Sequence, residues 1–367
     1  EAVSYTQELI NNGQTVIYEA AFSDGETLCY MDILVKENNE WRAYEVKAST
    51  GVKDYHVMDA AFQYYVITRS GVPLADIFLV HINNQYIRSG EIEVEQLFKK
   101  VLMTGTILPL QADIPGLLTS LQEMLAAGIV PDVEMGYQCT HPYSCDFIEF
   151  CRLELPVESG ASESQPANRN QEALDEFNDE LEYPLFFMDF ETIFPPVPIH
   201  DESRPYQQIP FQFSLHVQRS EQGPLEHYEF LGTPPADPRP AFIEELMALL
   251  GDSGSIIVWN QGFEKNRLHE IARDFPDYAL LIEPLFGRFT DLMVPFRRKQ
   301  LYSPEMNGSY SLKAVLPALV PELSYAELGI QEGGEANMAY EKLYHEEDLE
   351  IIAKIRKALL EYCKMDT

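Results

Sequence analysis

The sequence predicts an α/β protein of two globular domains, and three observations carry that expectation. Runs of β-branched and aromatic residues alternate with segments of helical apolar spacing. The chain has 367 residues, 46% of them hydrophobic, more than one ordinary core accommodates. Between the halves, ESGASESQPANRN at 158–170 has almost no bulky apolar side chain and reads as a solvated linker. Domains are therefore expected at 1–156 and 179–367, joined by residues 157–178.

In the first domain, strands are expected at 15–22, 28–36 and 41–48, followed by a helix at 54–70 and a strand at 76–83. Ser23-Asp24-Gly25 and Asn38-Asn39 supply turns, while Met58, Ala61, Phe62, Tyr65 and Val66 supply one apolar helical face. Helical segments follow near 93–103 and 115–127, and then a cysteine-rich stretch at 136–152. In the second domain, a short acidic helix at 171–180 precedes strands at 185–190 and 211–217 and a helix at 239–250. A strand at 255–259 and helices at 264–273 and 347–366 complete it, so a mixed sheet is expected.

The 59 acidic and 26 basic residues give a formal net charge of −33. Nucleic-acid binding usually leaves a basic footprint, so any substrate groove must be a local exception. Clustered metal-binding carboxylates account for part of the acid excess only. No apolar run approaches the ~20 residues that cross a bilayer, and no charged start with an apolar core and cleavage site opens the chain. A cytoplasmic protein without membrane contact is expected. The sequence lacks an initiator Met and stops within a helical pattern, as a piece of a longer protein would. Its five cysteines, an odd number, are expected as reduced thiols or metal ligands.

The sharpest chemical signal lies in the second half. Asp189 and Glu191 sit two apart on an apolar strand (LFFMDFET), so both carboxylates share one face. In IIVWNQGFEKNRL a strand runs into a helix that begins with Glu264, and Tyr362 and Asp366 lie four apart on the last helix. Four carboxylates and a phenol suit two-metal phosphodiester cleavage, with Asp189, Glu191, Glu264 and Asp366 as ligands and Tyr362 orienting the attacking water. The motifs MDFET, WNQGFEKNRL and YCKMD resemble, in order, those of the DnaQ-like 3′→5′ exonucleases of the RNase H fold, in their Y-x-x-x-D variant. The resemblance implies Mg²⁺ or Mn²⁺ in a two-metal site and a substrate-binding role for Asn260. Glu264 stands where that family has Asp.

In the first half, Asp32 lies on one strand (YMDILV), and Glu45 and Lys47 share a face of the next (YEVKAS). An Asp and a Glu suit a metal, and a Lys beside them suits a scissile phosphate. Glu19 and Gln63 are expected as supports, Gln63 also as a substrate-binding residue, His56 as a helix-face residue, and Val46 and Ala48 as core residues pointing the other way. The pattern resembles the PD-(D/E)XK nucleases, in particular the RecB-like exonucleases. That family often closes an iron–sulfur cluster with thiolates such as Cys139, Cys145 and Cys151; a 4Fe-4S cluster, a zinc site and empty reduced thiols all remain open here. Cys29 and Cys363 are expected as core thiols.

Taken together, the order of parts resembles an uncharacterised bacterial family that fuses a PD-(D/E)XK domain to a DnaQ-like domain, including segments such as RPYQQIPFQFSLH and SYSLKAVLPALVPELSY. The implied function is a metal-dependent nuclease of DNA repair, recombination or phage defence, acting on DNA in preference to RNA. An RNA-trimming exoribonuclease is the alternative enzyme, and a nucleic-acid-binding or assembly module with inactive sites is the alternative from another class.

Overall fold

Strands form in the first half where small and aliphatic side chains alternate with polar ones, and they bury one face. In the computed structural model, which describes residues 1–25, 27–141, 143–154, 167–323 and 328–367, packing divides the chain into two units, Glu1–Glu158 and Ser159–Thr367. The first unit opens with α1 (Ala2–Asn11), β1 (Val16–Ser23), β2 (Leu28–Glu37), β3 (Glu40–Lys47), α2 (Asp54–Arg69) and β4 (Leu74–Ile82). It continues with β5 (Phe98–Leu102) and α3 (Ile114–Ala127). The strands form one sheet in chain order, antiparallel except where β3 and β4 run parallel. Helix α2 makes the crossover that a parallel pair requires. Its Ala60, Ala61, Val66 and Ile67 pack on Met31, Leu34, Ala43, Ile77 and Leu79 of the sheet.

Two expectations fail in this unit. Only Val94–Leu97 is helical within 93–103; Phe98–Leu102 is a strand, because it finds the open edge of β4. On β3, Trp41, Ala43 and Glu45 are buried and Val46 is exposed, as is Ala48 just beyond the strand, so the acid faces inward and the valine outward.

The second unit contains α4 (Gln171–Asp179), β6 (Leu185–Ile193), β7 (Ile209–Gln218), β8 (Leu225–Leu231), α5 (Pro238–Leu250), β9 (Ile256–Val258) and α6 (Gly262–Asp274). Then come β10 (Phe289–Asp291), α7 (Leu312–Leu319), α8 (Gly333–Lys342) and α9 (Leu349–Asp366). The sheet order is β10-β9-β6-β7-β8, parallel from β10 to β6 and antiparallel from β6 to β8, so a mixed α/β architecture is what the strands build. Alternation on β6 sends Phe186, Met188 and Phe190 to a core shared with α5 and α6. Ile193 goes to the opposite core, shared with Leu359 and Tyr362 of α9 and Tyr340 of α8. Asp189 and Glu191 have the parity of Ile193, which sends them to the face where α9 lies.

Of the expected linker, residues 157–166 lie outside the described residues. The remainder is ordered: Asn168–Arg169 pairs with Leu301–Tyr302, and the Asn170 side chain caps α4 by accepting from the Ala173 amide at 3.3 Å.

Candidate metal centre

The C-terminal carboxylates converge. Asp189, Glu191 and Asp366 each offer an oxygen, and these atoms lie within 4.8 Å of one another. Glu191 is buried and the two aspartates are half-buried. Burial, then the neighbouring charges of Glu191, Asp366 and Glu264, hold the Asp189 carboxyl well above the usual range. Burial, then Asp366, carries Glu191 to about 8.

Glu264 stands in the first turn of α6, 1% exposed, with its Oε2 buried without a hydrogen-bond partner. It lies outside the 4.8 Å group but close enough to raise Asp189. Its own carboxyl reaches about 8, through burial and then the charge of Asp291. A buried carboxylate oxygen with no donor is costly unless a proton or cation meets it, so this donor set fits a hard divalent ion. The Tyr362 phenol is buried and hydrogen-bonded to Asp366, and burial, then that carboxylate, keep it protonated. Asn260 takes a left-handed conformation (φ 71°) on the surface, and its amide donates to Asp291 at 3.0 Å. No contact among the described residues carries its side chain to the carboxylates.

Four residues here escaped the sequence reading. Asp291, buried at the end of β10, accepts from the amides of Asn260 and Met293 and thereby fixes the turn into α6. Gln212, fully buried and opposite Glu191 in the β6–β7 register, donates to the Leu359 carbonyl at 2.9 Å and ties α9 to the sheet. Lys313 of α7 places its ammonium 5.5 Å from the centre of the Tyr362 ring. A Cβ at Gly333, where α8 starts, would lie 3.9 Å from Glu191 Oε2. Only the last had a visible signal, the Gly-Gly pair. Cys363 is a buried thiol, as expected, and its Sγ lies 3.8 Å from Asp189 Oδ2.

The N-terminal set also assembles. The Lys47 ammonium lies 2.6 Å from both Glu45 Oε1 and Asp59 Oδ2. Burial alone would lower it, but these two carboxylates carry it above the ordinary lysine range. Burial raises Glu45, against the pull of Lys47 and of nearby Gln63, whose Nε2 donates to the Tyr30 carbonyl at 3.5 Å. Asp32 Oδ2 accepts from the Val46 amide at 2.6 Å, so it sits at the point where the β2–β3 ladder stops. Glu19 lies between the pairs Tyr18–Ile33 and Ala20–Met31, hence opposite Asp32, with φ 52°. A non-glycine residue in that region stores roughly 1–3 kcal/mol and concentrates at functional sites. Asp59 is the member that the motif did not reveal. His56 lies on a buried face of α2, and its Nδ1 accepts from the Lys53 amide at 3.2 Å.

Cys139, Cys145 and Cys151 are free and half-buried. Among the described residues they form no group with sulfur atoms within 4.8 Å. Cys29 is a core thiol that burial pushes up to about 12.

A family model described as a domain of unknown function (DUF2779) matches residues 186–311. The chain is 28% identical to the uncharacterized protein MG366 homolog of Mycoplasma pneumoniae, over 49% of this chain and 30% of that protein. It is 29% identical to the uncharacterized protein UU173 of Ureaplasma parvum, over 40% of this chain and 24% of the relative. The matched part thus spans less than a third of these relatives' length. No solved structure matches. The matched domain holds Asp189, Glu191 and Glu264 but stops short of Tyr362 and Asp366. No helix of the described residues is long and apolar enough to cross a membrane.

Proposed function

We propose that this chain is a divalent-metal-dependent nuclease whose principal centre, on β6 and α9, is a DnaQ-like 3′→5′ exonuclease site. The observation that carries the reading is the gathering of three carboxylates within 4.8 Å, from a central strand and a distant helix, beside a fourth whose oxygen is buried without a donor. The order of the three motifs supports it, as does a mixed sheet with the acids on its central strand. Asp189, Glu191 and Asp366 would hold Mg²⁺ or Mn²⁺, with Glu264 beside them. The bound ions supply a Lewis acid that lowers the pKa of a water and stabilises a leaving 3′ oxygen.

The protein's own contribution is positional. The Tyr362 phenol stays protonated and donates a hydrogen bond to Asp366, which leaves its oxygen free to accept a hydrogen bond from a water and fix its orientation. Gln212 and Cys363 join α9 to β6 and β7, so that Asp366 keeps its distance from Asp189. The test is incubation of end-labelled single- and double-stranded DNA and RNA with Mn²⁺. Wild type should shorten 3′ ends, and Asp189→Ala should do so slower by roughly two orders of magnitude or more, the scale on which an electrostatic stabiliser acts. Equal rates would remove the assignment. The same assay decides DNA, our first choice, against RNA, and inertness of the wild type would leave a binding module.

A second, PD-(D/E)XK-type centre in the first unit is favoured by one observation in particular: Glu45, Lys47, Asp32 and Gln63 meet at the end of the β2–β3 ladder, where Glu19 is strained.

A further inference from the structure

We propose that Lys313 is a substrate-contacting residue of the metal centre, placed to hold a non-bridging oxygen of the phosphodiester that enters it. The inference rests on the nuclease reading of that centre. Lys313 belongs to SYSLKAVLP, a segment that the assigned chemistry leaves without a role. It stands in the first turn of α7, exposed, with its ammonium 5.5 Å from the ring of the buried Tyr362. Nζ donates to the Gln331 carbonyl at 2.7 Å, which joins α7 to the segment leading into α8, where a Cβ at Gly333 would lie 3.9 Å from Glu191 Oε2. The lysine therefore sits on the solvent side of a group whose other named members are acids and a phenol.

A phosphodiester approaching Asp189, Glu191, Glu264 and Asp366 in a chain of net charge −33 meets repulsion from every side. A lysine at the mouth supplies the local basic exception that binding needs, as a compact charge able to follow a phosphate oxygen. Arg356 and Lys357, farther along α9, are committed differently. Arg356 donates to the Gly232 and Leu231 carbonyls, and Lys357 pairs with Glu361.

A lysine that only tethered α7 to Gln331 would affect stability and leave substrate affinity alone, and that contrast defines the experiment. Lys313→Met keeps the apolar stem over Tyr362 and removes the charge; Lys313→Arg keeps the charge. Binding of a fluorescent single-stranded oligonucleotide is measured with Ca²⁺ over a range of salt, cleavage with Mn²⁺, and melting with and without Mn²⁺. Lys313→Met should bind about tenfold more weakly, with a salt slope shallower by about 0.7 and a raised KM, while keeping its Mn²⁺-dependent stabilisation. Lys313→Arg should recover most of the affinity. If Lys313→Met binds and cleaves like wild type, or if Lys313→Arg is as weak as Lys313→Met, the role is overturned and the nuclease reading stands. A wild type that neither cleaves nor gains stability from Mn²⁺, like Asp189→Ala, would overturn both.

Discussion

At the residue scale, the carboxylates of the candidate metal centre are held in a state that unfolded chains do not share. Glu191 and Glu264 titrate near about 8 in the fold, against 4.5 for a free glutamate. Between those values the folded protein binds protons that the unfolded chain has released, so stability without metal falls as pH rises from about 4.5 through about 8. Cations compete with those protons, and the stabilisation by Mn²⁺ should therefore grow across the same window. Thermal unfolding with and without Mn²⁺ over that range checks the sign; a gain that shrinks with pH would contradict it. Tyr362→Phe should slow cleavage by roughly a hundredfold while the Mn²⁺ gain persists, because the phenol serves a water and not an ion. Loss of the gain would make Tyr362 a ligand support.

At the element scale, α9 carries two of the five chemical groups and is held at the Leu359 carbonyl by Gln212. Gln212→Ala should cost about 1–3 kcal/mol by leaving that contact unmade, and the Mn²⁺ gain should fall with it. Leu246→Ala, in the core on the other face of the sheet, should cost about 2–5 kcal/mol and leave the gain intact. Equal effects on the gain would mean that Gln212 is ordinary core. Elements with strong periodicity were legible in the sequence to within a few residues, among them β6, β7, α5, α6 and α9. Those missed were short or polar: β8 reads LEHYEFL, with three charged or imidazole-bearing residues among seven, β10 has three residues, and β5 is a strand because β4 offers an edge. Gln212 was unreadable for a related reason. Its neighbours from Ile209 to Leu215 are all buried, so nothing local marks one glutamine as a tether.

At the scale of the whole molecule, each centre draws its ligands from its own unit. Lys47→Ala should therefore leave the Mn²⁺-dependent exonuclease activity proposed for the second unit unchanged and remove only a separate part of the product pattern. Comparison of product lengths for Lys47→Ala, Asp189→Ala and the double variant checks this, and loss of all products with Lys47→Ala alone would tie the two centres together. What the sequence revealed of each centre follows from how local it is. Asp32, Glu45 and Lys47 meet within one hairpin, and spacing alone disclosed them; Asp59 and Lys313 arrive from helices whose approach no motif encodes.

The same difference in locality governs when each centre can exist during synthesis. The hairpin that joins Asp32 to the Val46 amide spans 14 residues and can close soon after it leaves the ribosome. Cys363 touches Asp189 across 174 residues, and Asp366 follows Cys363, so the second centre has no third carboxylate until α9 has been made and has docked. A nascent chain that ends before Leu349 carries Asp189 and Glu191 but should draw no stability from Mn²⁺, so this carboxylate cluster exists only once the domain is finished.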